Sequence, residues 1–159
     1  MNNITTKDDL LTYAVRLGEE MKNAIVKRHI DAGQKATGKT SASLRIMVTP
    51  KGFQLVGWKY AGSYEEGRAP GNMPPTSVLI EWAKAKGLQF KSDAQMRSFA
   101  FLLARKIARE GTYRYRMTPK PDIFRTPIKE MQEKLEQATS AYYQYAVMQE
   151  LFRTDINKE

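Results

Sequence analysis

The sequence has 159 residues, of which 42% are hydrophobic and 27% are charged, and its formal net charge is +9. A chain of this length suits one domain of ordinary size, with a core large enough to fold without a metal or a disulfide. It contains no cysteine and one histidine. Structural disulfides, thiolate zinc sites, iron–sulfur ligation, a cysteine nucleophile and a His-rich metal cluster are therefore excluded.

The positive charge is concentrated in one part of the chain. Residues 67–126 carry twelve Lys and Arg against four Asp and Glu, whereas residues 127–159 carry four against six. A positive zone of this kind suits a polyanion or an acidic protein surface. No apolar run approaches the roughly 18 residues that span a bilayer, and the first residues lack a basic-then-apolar signal arrangement. We therefore expect no membrane partner and no export.

The first predicted element is a long N-terminal helix over residues 6–31. Thr6 is a candidate N-cap, and Asp8 and Asp9 complement the helix N-terminus. Gly33 can end the helix because glycine readily adopts the left-handed conformation. Apolar residues recur at steps of four and three, as on one buried helix face: Leu10, Ala14, Leu17, Met21 and Ala24.

A small antiparallel sheet is predicted next. Residues 33–43 are small and polar and are expected to form a loop. Two short runs of β-forming residues, 44–48 and 53–58, flank a turn that contains proline and glycine, which indicates a hairpin. Residues 60–66 could supply a third strand.

Two middle helices are predicted after a constrained loop. Residues 67–75 contain two glycines and three prolines, which restrict this loop. A helix over 77–86, capped by Thr76, offers four residues for burial in the core: Val78, Ile80, Trp82 and Ala85. A second helix over 93–110, capped by Ser92, has an apolar face formed by Met96, Phe99, Ala100, Leu103 and Ile107.

The last predicted element is a long C-terminal helix. Residues 112–126 are basic, aromatic and interrupted by proline, which favours an extended segment or a strand before it. Pro127 suits the first turn of the helix, and the tail from Thr154 is expected to fray. The helix repeats the four–three step at Met131, Leu135, Ala138, Tyr142, Tyr145 and Phe152. The predicted class is α+β, with residues 1–126 as the core domain and 127–159 as a helix of that domain or an assembly arm.

Residues 33–40 (GQKATGKT) match the P-loop string letter for letter. A nucleotide-binding loop needs a buried strand before it and a helix after it, so that backbone N–H groups converge on the phosphates. Here a helix is predicted to enter the loop and a hairpin to leave it. The apolar-then-acidic run 78–81 lies in a predicted helix and supplies no second motif. We interpret the string as a flexible linker.

The other candidates for catalysis are weak. His29 has no further histidine or cysteine to join it, which favours a structural role. Glu65 and Glu66 resemble a paired carboxylate, but no second acidic cluster completes an acid–base or metal site. We interpret this pair as solvated charge or as a contact to a basic neighbour. The sequence therefore predicts no enzyme, no cofactor and no metal.

The basic zone gives a stronger functional signal. Eight cations fall within 29 residues: Arg97, Arg105, Lys106, Arg109, Arg114, Arg116, Lys120 and Arg125. Tyr113, Tyr115 and Phe124 are interleaved with them. Arginine and aromatic side chains bind phosphates and stacked bases, and they are equally enriched at protein interfaces. A protein interface, a nucleic-acid site and an ordinary solvated surface all stay open at this point.

Three stretches occur in an order that is typical of one family. They are Thr37-Gly38 before Ser43–Ile46; Glu66–Gly71 (EGRAPG) with Met73-Pro74-Pro75, Ile80, Trp82 and Lys86-Gly87; and Phe99–Gly111 (FAFLLARKIAREG). This order resembles the neck, tail-completion and minor tail proteins of tailed bacteriophages. The resemblance covers about residues 1–130. Ala69 is a minor variation within the middle stretch, and the aromatic C-terminal helix is not assigned to the family pattern.

The resemblance implies a structural, non-enzymatic virion protein at the junction of head and tail. Repeated copies in or around a ring would join portal-proximal and tail components, with nucleic acid contacted only in passing. The expected location is the virion, and the host cytoplasm during assembly. The alternative is a small basic nucleic-acid-binding protein that uses residues 97–125. The residues expected at interfaces are Arg68, Pro70, Pro74, Pro75, Arg105, Arg109, Tyr113, Arg114, Tyr115, Arg116 and Arg125.

The resemblance also implies an N-terminal helix and a small antiparallel sheet packed with further helices. Within that fold, residues 67–75 have two interpretations. They could form a stiff contact arm that loses little entropy on docking, because its prolines already restrict it. They could equally form a fixed crossover between the sheet and the next helix.

Overall fold

Seven helices and one two-stranded sheet form the part of the chain that the computed structural model describes, residues 4–33, 37–49, 52–57 and 63–156. The predicted α+β class is confirmed. In chain order the elements are α1 (Lys7–Asp31), α2 (Lys39–Ser43), β1 (Arg45–Thr49), β2 (Gly52–Val56), α3 (Ser63–Glu66), α4 (Thr76–Ala85), α5 (Asp93–Glu110), α6 (Tyr113–Arg116) and α7 (Arg125–Ile156).

The chain divides into two compact units, each built from separate stretches of sequence. The first unit takes the described residues of 1–25, 44–56 and 124–159, which include most of α1, the hairpin and α7. The second takes those of 26–43 and 57–123, which include the end of α1 and helices α2 to α6.

The N-terminal helix begins at the predicted cap. The backbone N–H of Asp9 donates to Thr6 Oγ1 at 3.0 Å, and the Thr6 N–H donates to Asp9 Oδ2 at 3.0 Å. This reciprocal pair satisfies two N–H groups that a helix start otherwise leaves without partners. The predicted apolar face of α1 is confirmed at Ala14, Leu17 and Met21, which are buried in the first unit. Leu10 and Ala24 are half-buried, and Ile25, which was not predicted, is fully buried.

The predicted hairpin is confirmed as an antiparallel pair of strands. Its register runs from Arg45 opposite Val56 to Thr49 opposite Gly52. Residues 50 and 51 of the predicted turn and residues 58–62 lie outside the described residues. The predicted third strand is wrong over the part that is described, because residues 63–66 form α3. The Gly67 N–H closes this helical turn on the Ser63 carbonyl at 3.0 Å.

Two further segments that were predicted as loop or strand contain short helices. The Thr37 hydroxyl accepts from the Lys39 N–H at 3.4 Å where α2 begins. The Thr112 hydroxyl accepts from the Tyr115 N–H at 3.4 Å where α6 begins. In each case a threonine satisfies a backbone group at the start of a turn, so one turn of helix becomes stable within a polar segment.

The core of the second unit lies between α4 and α5. Its buried residues are Leu79, Ala83, Ala100 and Ala104, and the partly buried Ile80, Leu103 and Ile107 pack against it. The predicted bounds of both helices and the apolar face of α5 are confirmed within one residue. The Ser92 cap is confirmed as well, because its Oγ accepts from the Gln95 N–H at 3.2 Å.

The predicted face of α4 is confirmed only at Ile80, which is half-buried and packs against the core. Trp82 is 37% exposed and Val78 is 56% exposed, while Leu79 and Ala83 are buried. Residues 78, 80 and 82 follow a period of two, whereas a helix buries residues one turn apart, as 79 and 83 are. The predicted Thr76 cap is also wrong, because Pro75 occupies the N-cap and no side chain caps this helix.

The last helix packs through its first half. Pro127 lies in the first turn of this helix and is fully buried. Ala138, further along the helix, is also buried. The predicted apolar stripe stops at Tyr142, because Tyr145 is 41% and Phe152 59% exposed. The helix continues past Thr154 to Ile156, and residues 157–159 lie outside the described part of the chain.

The contact between α4 and α5 depends on small residues, which generates a stability prediction. Ala104 is 0% exposed, so replacing it with leucine inserts a large side chain into a filled site. We expect Ala104→Leu to lower the free energy of unfolding by about 1–3 kcal/mol in urea denaturation. Ala94→Leu, on the exposed side of the same helix, is the matched control and should change it by less than about 0.5 kcal/mol.

Candidate functional site

The second unit contains an open cleft of about 680 Å³. Leu79 and Trp82 of α4 and Leu103 and Ile107 of α5 supply most of its large apolar lining. Trp82, which was predicted in the core, instead lies at this surface with about a third of its area exposed. The cleft therefore offers apolar surface to a binding partner.

Positive charge surrounds this apolar lining. Among the described residues that line the cleft, five are cationic and none is acidic: Arg68, Lys86, Lys106, Arg114 and Arg116. Their mutual repulsion is reduced when an anion binds among them, and their field attracts acidic groups before contact. The cleft thus has apolar surface that can bind apolar side chains, and positive charge that favours a partner with acidic side chains.

Two of these cations also stabilise the end of α1. Arg114 Nη2 donates to the Ala32 carbonyl at 3.3 Å, and Lys86 Nζ donates to the Gly33 carbonyl at 2.8 Å. Positive side chains are favourable here because the last carbonyls of a helix lack intrahelical partners and carry partial negative charge. Arg114 was predicted as an interface residue, and it therefore has a structural contact within its own unit.

The loop of residues 67–75 is fixed to the end of α5. The Thr112 N–H donates to the Arg68 carbonyl at 2.9 Å, and the Arg68 N–H donates to Thr112 Oγ1 at 3.0 Å. The Gly71 N–H donates to the Ala108 carbonyl at 2.8 Å. These bonds hold the loop backbone in place, as expected for a fixed crossover between the sheet and the next helix.

Two glycines make this close contact feasible. A Cβ at Gly67 would lie 2.4 Å from the Tyr115 nitrogen, and a Cβ at Gly111 would lie 2.7 Å from the Arg68 carbonyl oxygen. Both glycines also have positive φ, at +71° and +74°. Side chains are therefore excluded at both positions by distance and by backbone conformation.

The predicted interface residues fall into distinct environments. Arg68, Tyr113, Arg114 and Arg116 line the cleft, and Tyr113 is 75% exposed. Those outside its lining but exposed are Pro70, Pro75, Arg105, Arg109, Tyr115 and Arg125. Pro74 is buried within the second unit, so its side chain offers little surface to a partner.

Several predicted cations interact with neighbouring groups. Arg109 hydrogen-bonds the carboxylate of Glu110, and Arg116 Nη1 lies 3.4 Å from Glu110 Oε2. The hydrogen bond from Arg109 lowers the pKa of Glu110, and the nearby positive charges lower it further. Lys120 Nζ donates to the carbonyls of Arg114 and Tyr115 at 3.0 and 2.7 Å. The basic zone therefore stabilises the fold of its own unit as well as supplying surface charge.

The sequence did not identify the apolar lining of the cleft. Leu79, Leu103 and Ile107 belong to two helices, and only their packing brings these side chains beside the same cations. Lys106 was counted in the basic zone but not selected as a site residue. A usable signal was the pairing of apolar and basic residues about one helical turn apart, Leu103 with Lys106 on α5 and Trp82 of α4 with Lys86, the residue that follows this helix.

His29 is a buried structural histidine. Its side chain is 5% exposed, and Nδ1 lies 3.0 Å from Ser41 Oγ. Burial lowers the pKa of His29, and the positive charges of Arg114 and Lys86 lower it further. The folded structure therefore favours the neutral form of the imidazole.

The P-loop string lies in a different context from that of a nucleotide-binding site. The element before it is α1 rather than a strand, and the helix after it, α2, has five residues. Lys39 Nζ pairs with Glu81 Oε2 at 2.9 Å. Residues 34–36 of the string lie outside the described residues.

The two adjacent carboxylates have separate contacts. Glu65 Oε1 accepts from the Ile123 N–H at 2.6 Å, and Glu66 Oε2 lies 4.0 Å from Lys120 Nζ. The second contact confirms the basic neighbour that was expected for this pair. The first anchors the end of the 117–123 segment to α3.

The described residues lack two further features. Within that part of the chain, no group of three or more His, Cys, Asp or Glu residues is arranged to hold a metal ion. None of the helices formed by those residues is sufficiently long and apolar to cross a bilayer. In comparisons with known proteins, no family model, curated protein or solved structure matches the chain.

The close contact at Gly67 generates a matched pair of substitutions. Gly67→Ala and Gly87→Ala both place a side chain at a φ near +70°, which costs about 1–2 kcal/mol. Gly87 has open space around it, whereas the new Cβ at position 67 meets backbone. We expect Gly67→Ala to lower the free energy of unfolding by about 1–3 kcal/mol more than Gly87→Ala does. Equal losses in urea denaturation would contradict the close approach.

The lowered pKa of His29 makes stability depend on pH. The unfolded chain binds the proton more readily, so the free energy of unfolding decreases as pH falls below about 6.5, the ordinary value for histidine. The contribution is complete above that pH and is lost as pH falls toward the lowered pKa of the folded state. Unfolding measured between about pH 7.5 and 5.5 should show this slope in the wild type and a flatter one in His29→Gln.

Proposed function

We propose that this chain is a structural virion protein at the head–tail junction of a tailed bacteriophage, present as repeated copies in or around a ring. Its neighbours would be virion proteins on the portal or adaptor side and on the tail side. The proposal is supported by the order of three stretches that resembles neck and tail-completion proteins. The chemistry of the cleft is consistent with this role, because it suits an acidic protein surface.

The main supporting observation is the contact between two of the three stretches. The EGRAPG stretch meets the end of the FAFLLARKIAREG stretch where a Cβ at Gly111 would lie 2.7 Å from the Arg68 carbonyl oxygen, and the Gly71 N–H donates to the Ala108 carbonyl at 2.8 Å. The residues that carry the resemblance thus build one local structure. A chance likeness in two unrelated segments gives no reason for them to meet in this way.

The contacts of the basic residues favour a protein interface over a nucleic-acid site. Arg109 and Arg116 form salt bridges with Glu110, which offset part of the positive charge that these side chains would present to a phosphate backbone. The exposed Tyr113 and the apolar lining of the cleft suit the energetic centre of a protein interface.

Inactivation of the gene in its phage tests the proposal directly. We expect electron microscopy to show DNA-filled heads and separate tails, because a junction component is needed to join them. A plasmid copy of the wild-type gene should restore infectious particles.

Two results would contradict this proposal. The first is a normal yield of infectious particles without the protein, together with its absence from purified virions by mass spectrometry. The second is tight binding of duplex DNA that weakens steeply with salt and is lost in a variant with Arg114→Ala and Arg116→Ala, which would favour the nucleic-acid-binding alternative.

A further inference from the structure

The second half of α7 carries an apolar face that its own unit does not cover. Tyr143, Val147 and Leu151 are 62%, 57% and 58% exposed and follow one another at intervals of four residues. Met148 and Phe152 are also exposed, at 49% and 59%. We call Tyr143, Val147 and Leu151 the outer stripe. In a helix, four-residue spacing aligns side chains along one side, which makes the stripe a continuous surface.

The outer stripe lies away from the packed side of the helix. Nine residues separate Val147 from the buried Ala138, which places the two on opposite sides at 100° per residue. An apolar face of this size on the solvent side is typical of a helix that docks into a groove on another protein. Such grooves accept apolar anchors about one helical turn apart, and each step from Tyr143 to Val147 to Leu151 has that spacing.

The cleft of the second unit has the complementary chemistry. It presents Leu79, Trp82, Leu103 and Ile107 for apolar side chains, and the described residues of its lining are cationic without an acidic member. The segment that contains the outer stripe is acidic, because residues 127–159 carry six Asp and Glu against four Lys and Arg. Between residues 139 and 152 the single charge is that of Glu150. The stripe is thus apolar with one acidic residue near it, and the cleft is apolar with cations around it, so the two surfaces have complementary chemistry.

We propose that the outer stripe of one copy docks into the cationic cleft of a second copy. The inference rests on the proposed function, since it specifies how repeated copies join. The two surfaces differ, so the contact is head-to-tail and leaves one free stripe and one free cleft on every pair. Repetition of such a contact closes a ring when the rotation permits it, and otherwise extends a filament.

The stripe and the cleft can be tested separately, with one variant for each surface. The stripe variant combines Val147→Lys with Leu151→Lys, which places positive charge against the positive cleft and changes only exposed positions. The cleft variant combines Trp82→Ala with Lys106→Glu. Lys106→Glu alone is a second cleft variant, at an exposed position, for use if the loss of Trp82 impairs folding. Gln132→Lys with Gln137→Lys, at exposed positions earlier on α7, adds the same charge outside the stripe and is the matched control.

Sedimentation velocity over a concentration series measures the effect. The wild type and the control should self-associate, and each variant alone should need at least about a tenfold higher concentration to do so. An equimolar mixture of the stripe and cleft variants should give a one-to-one heterodimer and nothing larger, because only one working contact exists in the mixture.

Three outcomes would overturn the inference. They are a wild type that stays monomeric at every concentration, a cleft variant that self-associates as the wild type does, and a mixture that fails to associate. The second would indicate pairing of stripe with stripe. None of them bears on whether virions contain the protein, which the gene inactivation tests separately.

Discussion

The close contact of the Gly67–Arg68 backbone with Gly111 and Thr112 is the constraint on which the second unit depends. It fixes the loop before α4 to the end of α5, and so determines where Arg68 and the basic residues of α6 lie. Most of this contact joins backbone to backbone, so its geometry depends on the two glycines. The contact contributes to the cleft because three of the five lining cations, Arg68, Arg114 and Arg116, come from segments that it holds together.

The sequence predicted the elements whose signals are local. The helices α1 and α5 have a hydroxyl cap, an apolar face with a regular period and a glycine at the end, and both lie where expected. The hairpin also carries its own turn. Prediction was poorer for the face of α4, where apolar residues on both sides of the true face obscure the period. The cleft could not be predicted, because it needs the packing of α4 on α5.

The basic residues have two roles that the sequence does not separate. Their charge alone indicated a binding surface. In the structure, Arg114 and Lys86 also donate hydrogen bonds to backbone carbonyls at the end of α1. A cation that is held by a carbonyl keeps its full charge, since the acceptor is a dipole and not an ion. The fold therefore uses bonds to carbonyls to position positive side chains at the cleft, which suits a surface that binds an acidic partner.

The single histidine can report on binding at the cleft. Burial lowers the pKa of His29, and the charges of Arg114 and Lys86, which both line the cleft, lower it further. A carboxylate bound beside them would offset that charge and move the histidine pKa back toward its ordinary value. Because the chain contains no second imidazole, the NMR resonances of one ring would record the occupancy of a cleft that the ring does not itself line.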